Sequence, residues 1–243
     1  MNKILVIGDS CIDSYTYCKV KRLAPDKPVP VLEVERVERT PGMAYNTFQN
    51  VNSLTTSCDL ITNTNWDKII KNRYVDTKSN HMFVRVDEVQ NITPISYDDS
   101  IFDYETIIIS DYDKGFLTVE DIYYICDNHP QVFLDTKKHL GKWASKAKFI
   151  KINEDEYAKS KEYIDEYLHD QVIKTLGAEG CSYLDTTYSV KEKVEVIDVS
   201  GAGDAFMAAL AVKFTDTKNI GESLFFANDC ASQVVRHRGM TVI

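Results

Sequence analysis

The stretch VIDVSGAGDAFMAAL, residues 196–210, concentrates the chemistry this sequence can offer. An apolar strand ends at Asp198, Ser200-Gly201-Ala202-Gly203 follows, and Asp204 opens an apolar helix. Small residues at such a junction leave backbone N–H groups without steric cover. Those unpaired donors, with the helix dipole, favour an anion such as a phosphate. A carboxylate at the same helix tip would repel that phosphate. Its presence makes sense if it takes a proton from an attacking hydroxyl. The same Asp204 also suits a helix cap; the preceding strand and Asp198 weigh toward catalysis. Other phosphate-binding patterns are missing: there is no G-x-x-x-x-G-K-[ST], no third glycine completing G-x-G-x-x-G, and no protein-kinase motif set.

A junction of this kind needs a sheet to hold it. Apolar runs at 105–110, 131–135, 148–152 and 171–176 alternate with helical stretches near 118–127, 139–145 and 154–168. That rhythm belongs to a parallel sheet covered on both faces. KILVI at 3–7 reads as a buried first strand, with a helix at 42–54, a strand at 58–61 and a helix near 66–71. Residues 15–20 and 29–38 alternate apolar and polar, as strands with one open face do, and Pro28 and Pro30 place them at an edge or in a flap. Further strands fit 72–76 and 81–87, short antiparallel strands fill 181–197, and helices at 202–214 and 219–236 close the sequence. The expected organisation is one α/β body over residues 1–243, with a small β flap from 14–40 and part of 72–90.

Composition narrows the function classes. Twenty-eight Lys and Arg stand against 37 Asp and Glu, a net charge of −9, which disfavours coating of nucleic-acid phosphates. The hydrophobic share of 44% and charged share of 27% suit a folded protein rather than a disordered one. No apolar run is long enough to span a membrane, and the N-terminus turns polar after Ile7, too early for a signal peptide. Six cysteines without a C-x-x-C read as reduced thiols, so a cytoplasmic location is expected. Neither they nor the five histidines have zinc-ligand spacing. Of only 10 glycines, four (Gly177, Gly180, Gly201 and Gly203) fall between 177 and 203, which points to close backbone approach there.

D-V-S-G-A-G-D at 198–204 resembles the D-T-x-G-A-G-D signature of the ribokinase-like (PfkB) carbohydrate kinases. The likeness covers most of the chain. Gly8-Asp9 and Asp13 resemble that family's opening strand and substrate-binding aspartate. Gly42 and Asn46 match the first glycine and the asparagine of G-G-x-x-N. Asn153 and Glu156 match N-x-x-E, and TLGAEG at 175–180 resembles T-x-G-x-x-G. A narrower resemblance is to D-glycero-β-D-manno-heptose-7-phosphate kinases. It rests on GDSCIDSYTYCKVKRLAPDKPVPVLEVE at the start, KNRYVDTKSNHMFVRVDE at 71–88, SDYDKGFLT at 110–118, FLDTKKH at 133–139 and VVRHRGMTVI at the end. The sequence holds no H-x-G-H nucleotidyltransferase motif, so the adenylyltransferase activity paired with such kinases is not expected of it. Met43 stands at the family's second glycine, Tyr45 at a small residue and Asp113 at a glycine, and the region 55–72 looks abridged.

The resemblance implies an α/β, ribokinase-like three-layer sandwich with a mainly parallel central sheet and a small β-strand lid. It implies transfer of the ATP γ-phosphoryl group to a sugar hydroxyl, with Asp204 as base. Amides of Gly201, Ala202, Gly203 and Asp204 would form an anion hole, each donor worth roughly 3–4 kcal/mol of barrier. Mg²⁺ would be held by phosphates and waters, oriented by Asn153 and Glu156; those two residues equally suit a helix cap. Thr175, Gly177, Gly180 and Asp198 would line the nucleotide site, with Asn228 and Gly239 flanking the adenine. Asp13, Gly42 and Asn46 would meet the sugar, and Arg22, Lys78 and Arg85 are candidates for its phosphate. The lid strands would pair two chains into a homodimer. Rival readings are a kinase of the same fold for a ketose or nucleoside, a catalytically silent sensor of nucleotide or sugar, and a structural oligomer.

Overall fold

The computed structural model describes residues 3–55, 57–87 and 91–243. ILVIG forms β1 (Ile4–Gly8), buried at every residue because a strand covered on both faces has no solvent side for a polar group. The chain then runs out as β2 (Ser10–Leu23) and back as β3 (Pro30–Met43), ahead of α1 (Ala44–Leu54) and β4 (Cys58–Ile61). β5 (Ile70–Asp76) and β6 (Met82–Asp87) follow; residues 88–90 of the expected flap lie outside the described residues. Strands and helices then alternate: β7 (Thr106–Asp111), α2 (Val119–Asn128), β8 (Val132–Thr136), β9 (Phe149–Asn153), α3 (Glu154–Tyr163) and β10 (Val172–Thr175). A hairpin of β11 (Cys181–Tyr183) and β12 (Thr186–Tyr188) precedes α4 (Ala202–Thr217) and α5 (Ile220–Val234).

The larger sheet runs β12-β11-β10-β9-β8-β7-β1-β4, parallel from β4 to β10 and antiparallel through the hairpin. Successive side chains point to opposite faces and so build two cores. Ile4, Val6, Ile108 and Phe133 pack with Phe206 and Leu210 under α1, α4 and α5. Leu5, Ile7, Ile107 and Leu134 pack with Ile122 and Ile125 under α2 and α3. Each such side chain contributes roughly 1.5–3 kcal/mol on full burial. α4 is apolar almost all round because it is wedged between the sheet, α1 and α5. This is the expected three-layer α/β body.

The smaller sheet runs β3-β2-β5-β6. β2 pairs antiparallel with β3 over a long ribbon and parallel with β5, and β6 closes the other edge. Pro30 starts edge strand β3, where its missing N–H costs no ladder bond. Four expectations need correction. The helix near 66–71 is a single 3₁₀ turn, Trp66–Lys68, because Ile69 and Ile70 favour extended backbone and Ile70 begins β5. The helix near 139–145 shrinks to a 3₁₀ turn at Lys142–Ala144. The stretch 154–168 is α-helical only to Tyr163 and ends in a π turn, Ile164–Leu168. Strands expected over 181–197 stop at Tyr188. Among the described residues, no helix is long and apolar enough to cross a membrane.

Candidate active site

The C-terminal ends of β1, β7, β8, β9 and β10 converge on the start of α4, the place where parallel α/β sheets gather their polar side chains. Gly201 is the N-cap of α4 in the left-handed region (φ 80°), a conformation that suits glycine. A Cβ on Gly203 would lie 3.1 Å from Lys151 Nζ, so the glycine lets that ammonium come up against the helix tip. The Ala202 N–H donates to the Val199 carbonyl at 3.3 Å. The amides of Gly201, Gly203 and Asp204 are therefore the better-placed donors for an anion.

Asp204 is 4% exposed. Its side chain does not cap its own helix. Oδ2 accepts from Asn46 Nδ2 at 2.8 Å, reaching in from α1, and Oδ1 accepts from the Tyr112 hydroxyl at 2.6 Å, just past β7. Burial raises the Asp204 carboxyl above its ordinary range; the bonds from Asn46 and Tyr112 oppose the rise, and Asp135 adds to it. The Tyr112 loop is itself pinned. Buried Asp9 accepts from the backbone N–H groups of Tyr112 (2.9 Å) and Lys114 (3.1 Å), and burial, then the charge of Asp111, pushes its carboxyl up to about 6.

Where the nucleotide is expected, a cleft of about 480 Å³ is lined by Asp204, Gly203, Lys151, Lys137, Asn153 and Thr175, among others. It shares Thr175, Gly177, Val199 and Gly203 with an apolar pocket of about 190 Å³, walled by Val190, Val194, Val196, Phe206 and Val235. Thr175, Gly177, Gly180 and Asn228 all line this pair of cavities. Gly180 sits at φ 97°, and a Cβ there would strike the Tyr188 carbonyl at 2.2 Å. Asn228 Nδ2 donates to that same carbonyl at 2.7 Å. Gly239 lies apart from the apolar pocket: its N–H donates to Asp198 Oδ2 at 3.0 Å. Asp198 also accepts from the Ser200 N–H at 2.9 Å, so it organises the turn before α4 and ties it to the C-terminal tail. Burial opposes its ionisation, yet the bonds from Ser200, Gly239 and Asn80 hold its carboxyl below the usual range.

The cap alternative for Asn153 and Glu156 is what their side chains do. Asn153 Oδ1 accepts from the Glu156 N–H at 2.8 Å and Glu156 Oε2 from the Asn153 N–H at 2.9 Å, a reciprocal capping box. Glu156 Oε1 pairs with Lys137. Burial lowers the Lys137 pKa, but Asp135, Glu156 and Asp204 outweigh it, and the ammonium is held above its ordinary value. Among the described residues, no group of three or more His, Cys, Asp or Glu side chains could hold a metal. Lys151 and Asp135 form a buried pair at 2.5 Å, with Asp135 Oδ1 unpartnered.

Around the expected sugar site, Asp13 is ion-paired with Arg73 of β5, and the Arg73 guanidinium lies 5.2 Å from the Tyr15 ring centre. Gly42 has a plain steric reason: a Cβ would sit 1.9 Å from Asp13 Oδ2. Buried Lys71 donates to Met43 Sδ at 2.8 Å, and burial depresses its pKa. Met43 has φ 62° and Asp113 φ 56°. Both replace glycines of the family pattern while keeping glycine's left-handed backbone. Tyr45 packs on Trp66 with ring centres 4.5 Å apart. Of the phosphate candidates, Arg85 is Arg73's cross-strand partner and is held bidentately by Asp87 (2.7 and 2.6 Å). Lys78 is exposed in the turn after β5, and Arg22 is exposed at the far end of the ribbon, nine residues beyond Asp13. The structure does not bring those two together with Asp13. Nothing in the local sequence assigns a role to Tyr112, Lys71, Arg73, Lys137 or Lys151. Four of them lie in the stretches KNRY, SDYDKG and LDTKKH, whose residue types alone do not say which side chains turn inward.

The profile of the pfkB family carbohydrate kinases matches residues 103–242, more than half of the chain. The chain is 30% identical over 298 residues to Bifunctional protein HldE of Helicobacter pylori strain J99, covering 98% of this chain and 64% of that protein. It is 29% identical over 283 residues to Bifunctional protein HldE of Nitratiruptor sp., covering 96% and 61%. The chain thus spans less than two thirds of the length of these relatives. Among solved structures, a ribokinase from Thermotoga maritima superposes with a TM-score of 0.75 at 16% identity, over 99% of this chain and 95% of that one. A ribokinase from Arabidopsis thaliana complexed with ribose and ATP gives 0.74 at 15%, over 98% and 94%. Phosphofructokinase-2 from Escherichia coli in complex with potassium gives 0.72 at 14%, over 100% and 95%. These likenesses establish the ribokinase-like fold.

Proposed function

The chain belongs to the pfkB family of carbohydrate kinases, phosphotransferases that act on a sugar hydroxyl, and from that premise we propose that it transfers the ATP γ-phosphoryl group to a phosphorylated sugar. The acceptor in this reading is D-glycero-β-D-manno-heptose 7-phosphate, and the product the 1,7-bisphosphate. One observation carries the chemistry: the buried Asp204 carboxylate, gripped by Asn46 and Tyr112, shares the tip of α4 with the amides of Gly201 and Gly203. A base is thereby held beside the donors that would receive the transferred group.

In this mechanism the apolar pocket takes the nucleobase and the cleft the triphosphate, with Lys137 and Lys151 as cations along it. Asp204 accepts the hydroxyl proton as the oxygen attacks, and the helix-tip amides stabilise the charge on the moving phosphoryl group. Mg²⁺, when bound, supplies neutralisation of the triphosphate charge. Exposed Glu154 and Asp155 line the cleft, which suits an ion held largely by phosphates and water rather than by a protein cage. The sugar-phosphate reading is supported by the concentration of cations around the acceptor site: Lys71 and Arg73, with Arg85 beside them. The HldE relatives support the heptose.

A homodimer through the lid belongs to the same proposal. Val34, Val37, Met82, Val84 and Val86 lie bare on the lid strands, and the outer strands are edges. So does a cytoplasmic location, in keeping with six free cysteines. Met43 and Tyr45, which reshape the pocket beside Gly42, favour a second reading: a kinase of this family for an unphosphorylated ketose or nucleoside. An ADP-release assay over heptose 7-phosphate, fructose, fructose phosphates, ribose and adenosine separates the two. The heptose phosphate should give the highest kcat/KM, and turnover of unphosphorylated sugars alone would overturn the first reading.

A further inference from the structure

We infer that Tyr112 is a positioning residue for Asp204, its phenol O–H fixing the carboxylate in the orientation that receives the acceptor's proton. The inference rests on Asp204 being the base. Two neutral donors serve the carboxylate, one per oxygen, from two separate walls of the site: Asn46 on α1 at 2.8 Å and Tyr112 past β7 at 2.6 Å. A carboxylate held at one oxygen still turns about its own axis; held at both, its plane is set. A buried carboxylate also needs such donors to remain ionised, because water no longer supplies them.

The rest of the loop has the construction of a mount. The Tyr112 and Lys114 N–H groups both donate to Asp9 Oδ2, and Asp113 between them adopts φ 56°. Asp113 is tied in turn to Lys138, which also bonds Asp111 through both oxygens at 2.9 Å. The Tyr112 ring lies where the two halves of the site meet. Lys71 Nζ, from the lid, is 5.3 Å from its centre, and Lys137 Nζ, from the donor cleft, is 5.6 Å. Burial, then Asp204, holds the phenol far above its ordinary pKa, so it stays a donor. The charged groups around Asp204 are Asp135 on β8, Lys137 after it and Lys151 on β9; α1 offers the neutral Asn46.

The test replaces the O–H alone. Tyr112→Phe should lower kcat about 10- to 100-fold, the value of a hydrogen bond to a charged group. It should leave the KM for ATP within about twofold and move the acid limb of the kcat/KM–pH profile upward, since the ionised carboxylate has lost a donor. 3-Fluorotyrosine at position 112 keeps the O–H and makes it a stronger donor, so it should restore turnover and move the acid limb below that of the native protein. This second variant decides the matter if the phenylalanine variant folds poorly. Acid limbs that superimpose for the native and fluorinated proteins, or a Tyr112→Phe variant with native kcat, would overturn the inference. Asp204→Asn separates the two levels: if it retains turnover, the base assignment has failed; if it is inactive while Tyr112 variants behave as native, only the role of Tyr112 has.

Discussion

The rim of the larger sheet and the outer half of the lid hold their charges in opposite ways. At the rim, Lys151 pairs with Asp135 and Lys138, just past β8, with Asp111, beside strands whose middles are apolar and buried. Along the lid, Lys19–Glu35, Lys21–Glu33 and Arg36–Glu38 are exposed pairs standing beside bare valines. Water screens those surface pairs, so they add little, and the ribbon depends on its backbone ladder. The lid turns polar and paired inside only near its root, where Asp13 meets Arg73. The expected nucleotide side is thus built into the larger sheet, while the expected sugar side hangs on a ribbon held by its backbone ladder.

Breaking the larger-sheet side should have the largest effect. Lys151→Met would strand Asp135, whose other oxygen already lacks a partner, and should cost about 3–5 kcal/mol in urea unfolding. Lys19→Met in the lid should leave the unfolding midpoint essentially where it was. Equal losses at the two positions would erase the contrast. Next comes the lid root. Gly42→Ala forces a methyl group to within 1.9 Å of Asp13 Oδ2, so the carboxylate must leave Arg73. Acceptor kcat/KM should fall about 100-fold while ATP-induced thermal stabilisation is unchanged. A parallel loss of ATP binding would mean that the two sides are not separable. The smallest effect on the folded chain is expected at the outer lid. Val84→Lys should alter monomer stability by less than about 0.5 kcal/mol yet convert the proposed homodimer to monomers in sedimentation. An unchanged sedimentation coefficient would remove the lid as the dimer surface.

The same contrast governs how much the sequence reveals. Strands β7, β8 and β9 are continuous apolar runs bounded by helices, and their reading holds to within a residue. β2 and β3 are longer than their alternation suggests, because backbone pairing across the ribbon reaches Ser10 beside Met43 at one end and, past an irregularity after Val20, Leu23 beside Pro30 at the other, where side-chain pattern gives no cue. Residues 66–71 resemble a helix in composition, but pairing of Ile70 beside Ile12 takes them into the lid. In the site, Asp204, Gly201 and Gly203 announce themselves by clustering in one short junction. Tyr112 and Arg73 do not: each matters through a partner that is 92 or 60 residues away, and no local spacing encodes such a meeting. Met43 and Asp113 are instructive departures. Both look like losses of glycine, yet both keep φ positive, so the loop geometry survives the change of residue at a cost of about 1–3 kcal/mol each in backbone strain.

The most direct test is turnover by Asp204→Asn under saturating ATP and heptose 7-phosphate, with ATP binding followed on the same protein by thermal shift. The side chain keeps its shape and loses the ability to take a proton. ADP release should fall by about 10²- to 10⁴-fold while ATP still stabilises the fold. Turnover within tenfold of the native rate, with the nucleotide bound, would show that the proton goes elsewhere.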